Sequence, residues 1–245
     1  MKRFLLIILP LLLMISWGCE DESSGTPQST FTRTFGESGL DYGNSVQQTM
    51  DGGYVIAGVK ERQPPFLFQA WLIKTDSQGE EEWNRIFDGS EGSYINYARF
   101  VQQTIDGGYI ITGGQYYSGF RGRDIWIIKT DSQGGEEWNR TFGGGGEDES
   151  SSVQQTTDGG YIITGYTGSY GNGLYDAFLL KTDTQGAEEW TQTFGGSDYD
   201  YGNSVQQTTD GGYIITGQTG SYGNGVRDVL LIKTDSQGIS EPFED

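Results

Sequence analysis

Short runs of apolar residues, broken by glycine-rich turns, recur along most of this chain. In the stretch from residue 151 to 194 the pattern reads most clearly. SSVQQTT (151–157) predicts a short strand, and Asp158-Gly159 predicts a tight hairpin turn, since both residue types tolerate positive φ. GYIITG (160–165) predicts a second strand, followed by a loop rich in Gly, Ser and Tyr. DAFLLKT (176–182) is nearly continuous in apolar side chains, which places it at the centre of its sheet. TDTQG turns the chain again, with Asp183 capping and Gly186 in the left-handed position, and AEEWTQTF (187–194) predicts the fourth strand.

The same sequence of signals occurs four times. DGGY stands at Asp51, Asp106, Asp158 and Asp210, and the KTD phrase keeps step with it at Lys74, Lys129, Lys181 and Lys233. A period of 52 to 55 residues with four antiparallel strands per copy predicts an all-β fold, a β-propeller of four four-stranded blades. The last copy stops after Gly238 without its W-x-x-x-F strand, while Phe31-Thr32-Arg33-Thr34-Phe35-Gly36 ahead of the first copy supplies a matching one. Pairing the two would close the ring and remove two exposed sheet edges. The competing picture is an open arc completed by a second molecule.

The start of the chain has a different character. Lys2 and Arg3 precede an apolar run from Phe4 to Trp17, too short to span a bilayer comfortably, and Gly18-Cys19 follows. This segment resembles a bacterial lipoprotein signal, although Ser16 stands where that family has Leu. The resemblance implies a signal peptide over 1–18 and lipidation of Cys19; the charged, apolar-poor stretch 19–30 reads as a solvated tether, and the repeats define a domain over 31–245. An ordinary secretory signal with a stray cysteine is the alternative. The acidic triplet Glu20-Asp21-Glu22 also resembles an export tag toward the outer face of a Gram-negative cell, and equally suits a generic linker. The expected location is the cell envelope, at the outer membrane, with the lipid as the sole membrane contact.

Without residues 1–18 the chain keeps 13 basic and 34 acidic side chains, for a net charge of −21. Such a surface repels phosphates and anionic headgroups, which argues against a nucleic-acid partner. The chain has no histidine, so the commonest general base and transition-metal ligand are both missing.

Asp76-x-x-Gly79-x-x-x-Trp83, Asp131-x-x-Gly134-x-x-x-Trp138 and Asp183-x-x-Gly186-x-x-x-Trp190 resemble the tryptophan-docking motif of quinoprotein-type propellers. The resemblance implies a tryptophan packed between adjacent blades. The whole array is similar to bacterial and archaeal secreted propeller-repeat proteins.

Residues identical in every copy are read as blade-building. Gln47, Gln102, Gln154 and Gln206 are expected to bond backbone, and Tyr54, Tyr109, Tyr161 and Tyr213 to pack between blades. Two acidic series border the loops after the second and fourth strands: Asp41, Asp148 and Asp200, and Asp124, Asp176 and Asp228. They suit loop capping, or a ring of oxygen ligands for a hard cation such as Ca²⁺. No other cofactor is expected. The residues that break the repeat are the candidates for ligand binding: Lys60, Arg62, Phe66 and Phe68 in copy one, and Tyr94, Tyr97, Arg99, Phe120, Arg121 and Arg123 in copy two. Aromatic and arginine side chains carry binding energy at interfaces, and aromatic rings stack on sugars.

These readings point to a monomeric, non-enzymatic binding or scaffold module for a protein or glycan. A glycan-degrading hydrolase is the alternative, since paired carboxylates suffice for glycosidic cleavage. No unique pair of acids stands apart from the repeat to favour it.

Overall fold

The computed structural model describes residues 30–62, 67–117 and 122–242, and the signal, Cys19 and the tether up to residue 29 lie outside these. Among the described residues the chain is all-β, with 15 strands and no helix. The strands form four successive antiparallel meanders. The first unit holds β1 (Tyr42–Gln48), β2 (Tyr54–Arg62), β3 (Leu67–Thr75) and β4 (Glu81–Phe87). The second holds β5 (Ser93–Gln103), β6 (Tyr109–Tyr117), β7 (Arg123–Thr130) and β8 (Glu136–Phe142). The third holds β9 (Asp148–Gln155), β10 (Tyr161–Thr167), β11 (Asp176–Thr182) and β12 (Glu188–Phe194), and the last has only β13 (Asp200–Gln207), β14 (Tyr213–Thr219) and β15 (Asp228–Thr234).

Each unit pairs its strands in chain order; in units one to three the central third strand is buried along most of its length, as in β11, whereas β15 is the outer strand of the last unit and alternates between buried and exposed. The expected hairpin at DGGY forms with a different geometry. Only glycine takes positive φ, so Asp158 stays in the right-handed region and Gly159 (φ 87°) carries the reversal. The turn runs from Thr156 to Gly159, whose N–H donates to the Thr156 carbonyl, a type I turn followed by a left-handed glycine. The next glycine is needed for proximity: a Cβ on Gly160 would collide with the Thr182 carbonyl and crowd Lys181 Nζ.

That close approach brings the two repeated phrases together. Lys181 Nζ donates to the Thr182 carbonyl and pairs with Asp158 at 3.0 Å and Glu189 at 3.0 Å. Lys74 and Lys129 make the same three contacts. A lysine side chain left only 3% exposed is tolerable because every ammonium proton has a partner.

The core lies between units. Each junction packs the forward face of one unit on the backward face of the next. At the first junction Ala57, Leu72 and Phe87 meet Val101, Tyr109 and Trp126. The tryptophan of each fourth strand docks on the next unit: Trp138 lies edge-on to Tyr161 at 5.7 Å and over Gly186, with Arg140 above it at 5.6 Å. The repeated glutamines lace the inner strands together. Gln155 N–H donates to Gln102 Oε1 at 2.8 Å, and Ile105 N–H donates to Gln155 Oε1 at 2.9 Å.

The array ends differ from the expected closed ring. Among the described residues, 31–35 form no strand, β15 pairs only with β14, and the three sheets do not close. Phe31 nevertheless lies against unit one as the tryptophans lie against the later units. It sits 5.8 Å from the Tyr54 ring and over Gly79, with Arg33 at 5.6 Å. The segment therefore has the docking contacts of a fourth strand without its hydrogen-bonded neighbour.

Candidate functional site

Strand alternation decides which residues face the centre of the array. At or just before the first strand of each unit stands an acid or amide (Asp41, Asn96, Asp148 or Asp200), and the next residue points the other way. Those next residues are Tyr42, Tyr97, Glu149 and Tyr201. The residues ahead of the second acidic series are Phe68, Arg123, Tyr175 and Arg227. Across the copies the first set reads Tyr, Tyr, Glu, Tyr and the second Phe, Arg, Tyr, Arg, and those of the first two units converge with Glu149.

The convergence is tightest around units one to three, where a cavity of ≈ 480 Å³ is lined by Phe68, Tyr94, Tyr97, Arg99, Tyr116, Arg123 and Glu149, among others. Glu149 is its electrostatic centre. At 4% exposure it takes Arg99 at 2.5 Å, Arg123 on its other oxygen, and the Tyr166 hydroxyl at 2.8 Å. The Arg123 guanidinium lies 4.1 Å over the Tyr116 ring and 5.9 Å from that of Tyr97. Burial pushes the Tyr97 hydroxyl well above the usual phenol range, with Arg123 opposing, so it is a neutral donor. Among the described residues its oxygen has no hydrogen-bond partner, and neither does Arg123 Nε.

Beyond Glu149 the wall is aromatic. Tyr166 stacks near Tyr175 at 4.8 Å and meets Tyr201 edge-on at 5.1 Å. Tyr199 stacks on Tyr201, and Arg227 lies 5.3 Å from the Tyr201 ring. The surface is thus a belt of tyrosine rings with guanidinium groups laid over them. It is suited to planar or sugar-like faces and to carboxylate or hydroxyl groups.

Of the residues singled out from sequence, Phe68, Tyr94, Tyr97, Arg99 and Arg123 share this cavity. Lys60 and Arg62 line a separate one with Glu37, Glu61, Gln69 and Asp88, where Lys60 lies 4.9 Å over the Trp71 ring and 3.2 Å from Glu37. Phe66, Phe120 and Arg121 fall outside the described residues. Glu149, Tyr166, Tyr175, Tyr199 and Tyr201 were not singled out. A signal for most of them was present: Glu149, Tyr175, Tyr199 and Tyr201 stand beside the repeated acids, and Glu149 replaces the tyrosine of the other three copies.

The acids themselves cap loops. Asp41 accepts from the Glu37 and Glu61 N–H groups, Asp148 from Gly144 N–H and Ser169, and Asp200 from Gly196 N–H and Ser221. Asp176 accepts from Asn172 and Gly173, and Asp228 from Asn224 and Gly225. Asp124 and Asp148 meet around Gly143, as Asp176 and Asp200 do around Gly195. Burial, and then the neighbouring Asp200 charge, raises the Asp176 carboxyl above its ordinary range. The acids thus approach one another in pairs, and among the described residues no group of three or more His, Cys, Asp or Glu is placed to hold a metal.

No protein-family model and no curated protein matches this sequence. Among solved structures, the chain is similar to a protein of unknown function from Bacteroides caccae. The TM-score is 0.51 at 11% identity, over 82% of this chain and 60% of that one. Sqt1 from Chaetomium thermophilum superposes with a TM-score of 0.34 at 9% identity, over 83% of this chain and 61% of that one, a likeness too low to carry an argument. The chain spans about three fifths of the length of the structures it matches, and the first likeness shows an all-β fold shared in outline.

Proposed function

We propose that this chain is a lipid-anchored, non-enzymatic binding module of the cell envelope. In this reading the four units are propeller blades, the segment 31–35 is the missing fourth strand, and the tyrosine–arginine mouth captures a glycan or an exposed polypeptide. One observation carries it. Residues that break the repeat (Phe68, Tyr94, Arg99, Arg123 and Glu149) meet in one cavity, whereas most of the residues that repeat in every copy are consumed by turns and junctions. Drift alone would scatter the variation over all exposed positions.

The test is an array of glycans and envelope proteins probed with the wild-type protein and with a Tyr94→Ala/Arg99→Ala double variant. Both side chains are substantially exposed, and Glu149 keeps Arg123, so stability should change by no more than about 0.5 kcal/mol. Capture should be lost while the melting temperature holds. Capture that survives the double change moves the site elsewhere, and hydrolysis of any glycan by the wild type overturns the non-enzymatic reading.

The anchor rests on the apolar run ending at Gly18-Cys19 and on Cys19 being the single cysteine of the sequence. The intact mass of the membrane-extracted protein should exceed the polypeptide beginning at Cys19 by acyl groups, and Cys19→Ala should release it from the membrane, since stable anchoring takes more than one chain. An unmodified mass rules the anchor out.

A further inference from the structure

The two ends of the array carry unpartnered halves of the junction used three times inside the chain. On β15, Val229 is 83% exposed and Leu231 68% exposed. Their equivalents in the other units are Ala70 and Leu72, Ile125 and Ile127, and Ala177 and Leu179, all buried beneath the next unit. At the opposite end Val46 is 65% exposed, although Val101, Val153 and Val205 are buried at the same position. Val46, Tyr54, Ile56, Trp71 and Ile73 repeat Val101, Tyr109, Ile111, Trp126 and Ile128 residue for residue, apart from their place in the chain. One end is therefore shaped as a forward face and the other as a backward face.

The polar lacing is unfinished in the same way. Gln47, Gln102 and Gln154 each accept from a backbone N–H of the following unit. Among the described residues no backbone N–H donates to the side-chain oxygen of Gln206, or to that of Gln48, whose counterparts Gln103 and Gln155 accept from Met50 and Ile105. Residues 31–35 are already seated on unit one, with Phe31 over Gly79 and Arg33 at Glu80, while among the described residues no strand lies against the outer edge of β15. By the register of β11 with β12, where Ala177 faces Phe194 and Leu179 faces Gln192, a strand at residues 31–35 would set Phe35 opposite Val229 and Arg33 opposite Leu231.

We infer that a second copy of this chain fills the open face, its first unit and residues 31–35 docking on the last unit of the first copy. This rests on reading residues 31–35 as the missing fourth strand, and it assigns that strand to a partner. Within one chain β1 packs on β5, β5 on β9 and β9 on β13, yet β13 and β1 are not packed together, so the arc leaves its own ends apart. The contact is heterologous: the forward face of one copy meets the backward face of the other. The chain's net charge of −19 opposes it, so association should weaken at low ionic strength.

Native mass spectrometry of the full chain, released from detergent, tests this. The wild type should contain species of two or more copies. A Val229→Asp/Leu231→Asp variant, blocked on its forward face, and a Val46→Asp variant, blocked on its backward face, should each weaken self-association by about thirtyfold or more. Mixed together, the two should form a one-to-one heterodimer, because one intact forward face and one intact backward face remain. That rescue also shows that both variants are folded. A wild type that is monomeric at every concentration and salt overturns the proposal in favour of closure within one chain. Its melting temperature should then fall sharply on Leu231→Asp, whereas failure of the binding reading would leave all these masses unchanged. Association that survives both variants, or no heterodimer on mixing, overturns it as well.

Discussion

The buried lysines show how much one repeated side chain depends on its surroundings. Lys129 has Asp106 at 2.8 Å and Glu137 at 2.9 Å with 3% of its side chain exposed, whereas Lys233 keeps Asp210 but has no fourth-strand glutamate and is 44% exposed. Replacing Lys129 by Met leaves two acids close together beside the core. Because those acids are about half exposed, the cost should be roughly 1–2 kcal/mol, less than for a fully buried pair. The same change at Lys233 should cost less than about 0.5 kcal/mol. Chemical denaturation of the two variants measures the difference, and equal losses would mean that the fourth strand contributes nothing to the lysine site. The identity of the lysine and its acids was legible from the repeat, but the partnership was not. DGGY and KTD lie more than twenty residues apart, and only the close approach at the second glycine joins them.

At the scale of the strand and the turn, sequence reading went furthest. The four strands of unit three lie within a few residues of their expected bounds, because apolar runs and glycine turns are local signals. The DGGY reversal was misassigned for a local reason: φ preference alone does not separate a two-residue turn from a type I turn with a left-handed glycine. The site was harder to read. The acids were read as loop caps or as cation ligands, and Asp148 and Asp176 do cap loops; what went unread is the alternation that aims Glu149, beside Asp148, at the cavity. The docking element gives a sharp prediction here. Trp138 joins two units through Tyr161 and Gly186, with Arg140 of its own strand over the ring, so Trp138→Ala should cost about 3 kcal/mol, in the range for deleting a large aromatic. Calorimetry of the variant should show both flanking units melting earlier. An unchanged melting temperature would make the tryptophan an ornament of the surface.

Over the whole molecule the repeated turn acids set the acid limit of stability. Thr49 and then Lys74 hold the Asp51 carboxyl down at about 2, against an ordinary 3.8. Asp106 and Asp158 are also lowered, their burial outweighed by hydrogen bonds from Lys129 and Thr104, and from Thr156 and Lys181; Asp210 is lowered by Thr208 and Lys233. A depressed carboxyl stabilises the fold above its unfolded pKa and loses that contribution as pH falls through its folded one. Asp176, raised by burial, works in the opposite sense. Three or four groups against one should keep the melting temperature level down to about pH 4 and drop it between about pH 4 and 2. Circular dichroism melts across that range test this, and a decline beginning above pH 5 would show that the turn acids are not the limiting groups.

Each junction is made only by the two units that flank it, through one apolar seam, one docked aromatic ring and one pair of glutamine bonds. No residue of unit one is needed for the junction between units three and four. Stability in such an array grows by the addition of neighbours, so whole copies can be gained or lost at any junction without redesigning the rest. Every copy also brings one first-strand and one third-strand residue to the mouth, as Tyr97 and Arg123 do for the second and Glu149 and Tyr175 for the third. The inner surface is therefore written in a short alphabet, a few letters per repeat, on a frame indifferent to what they spell. A gene that duplicates a unit lengthens the word, and point changes at those few positions edit it, while the seams that hold the molecule together stay untouched.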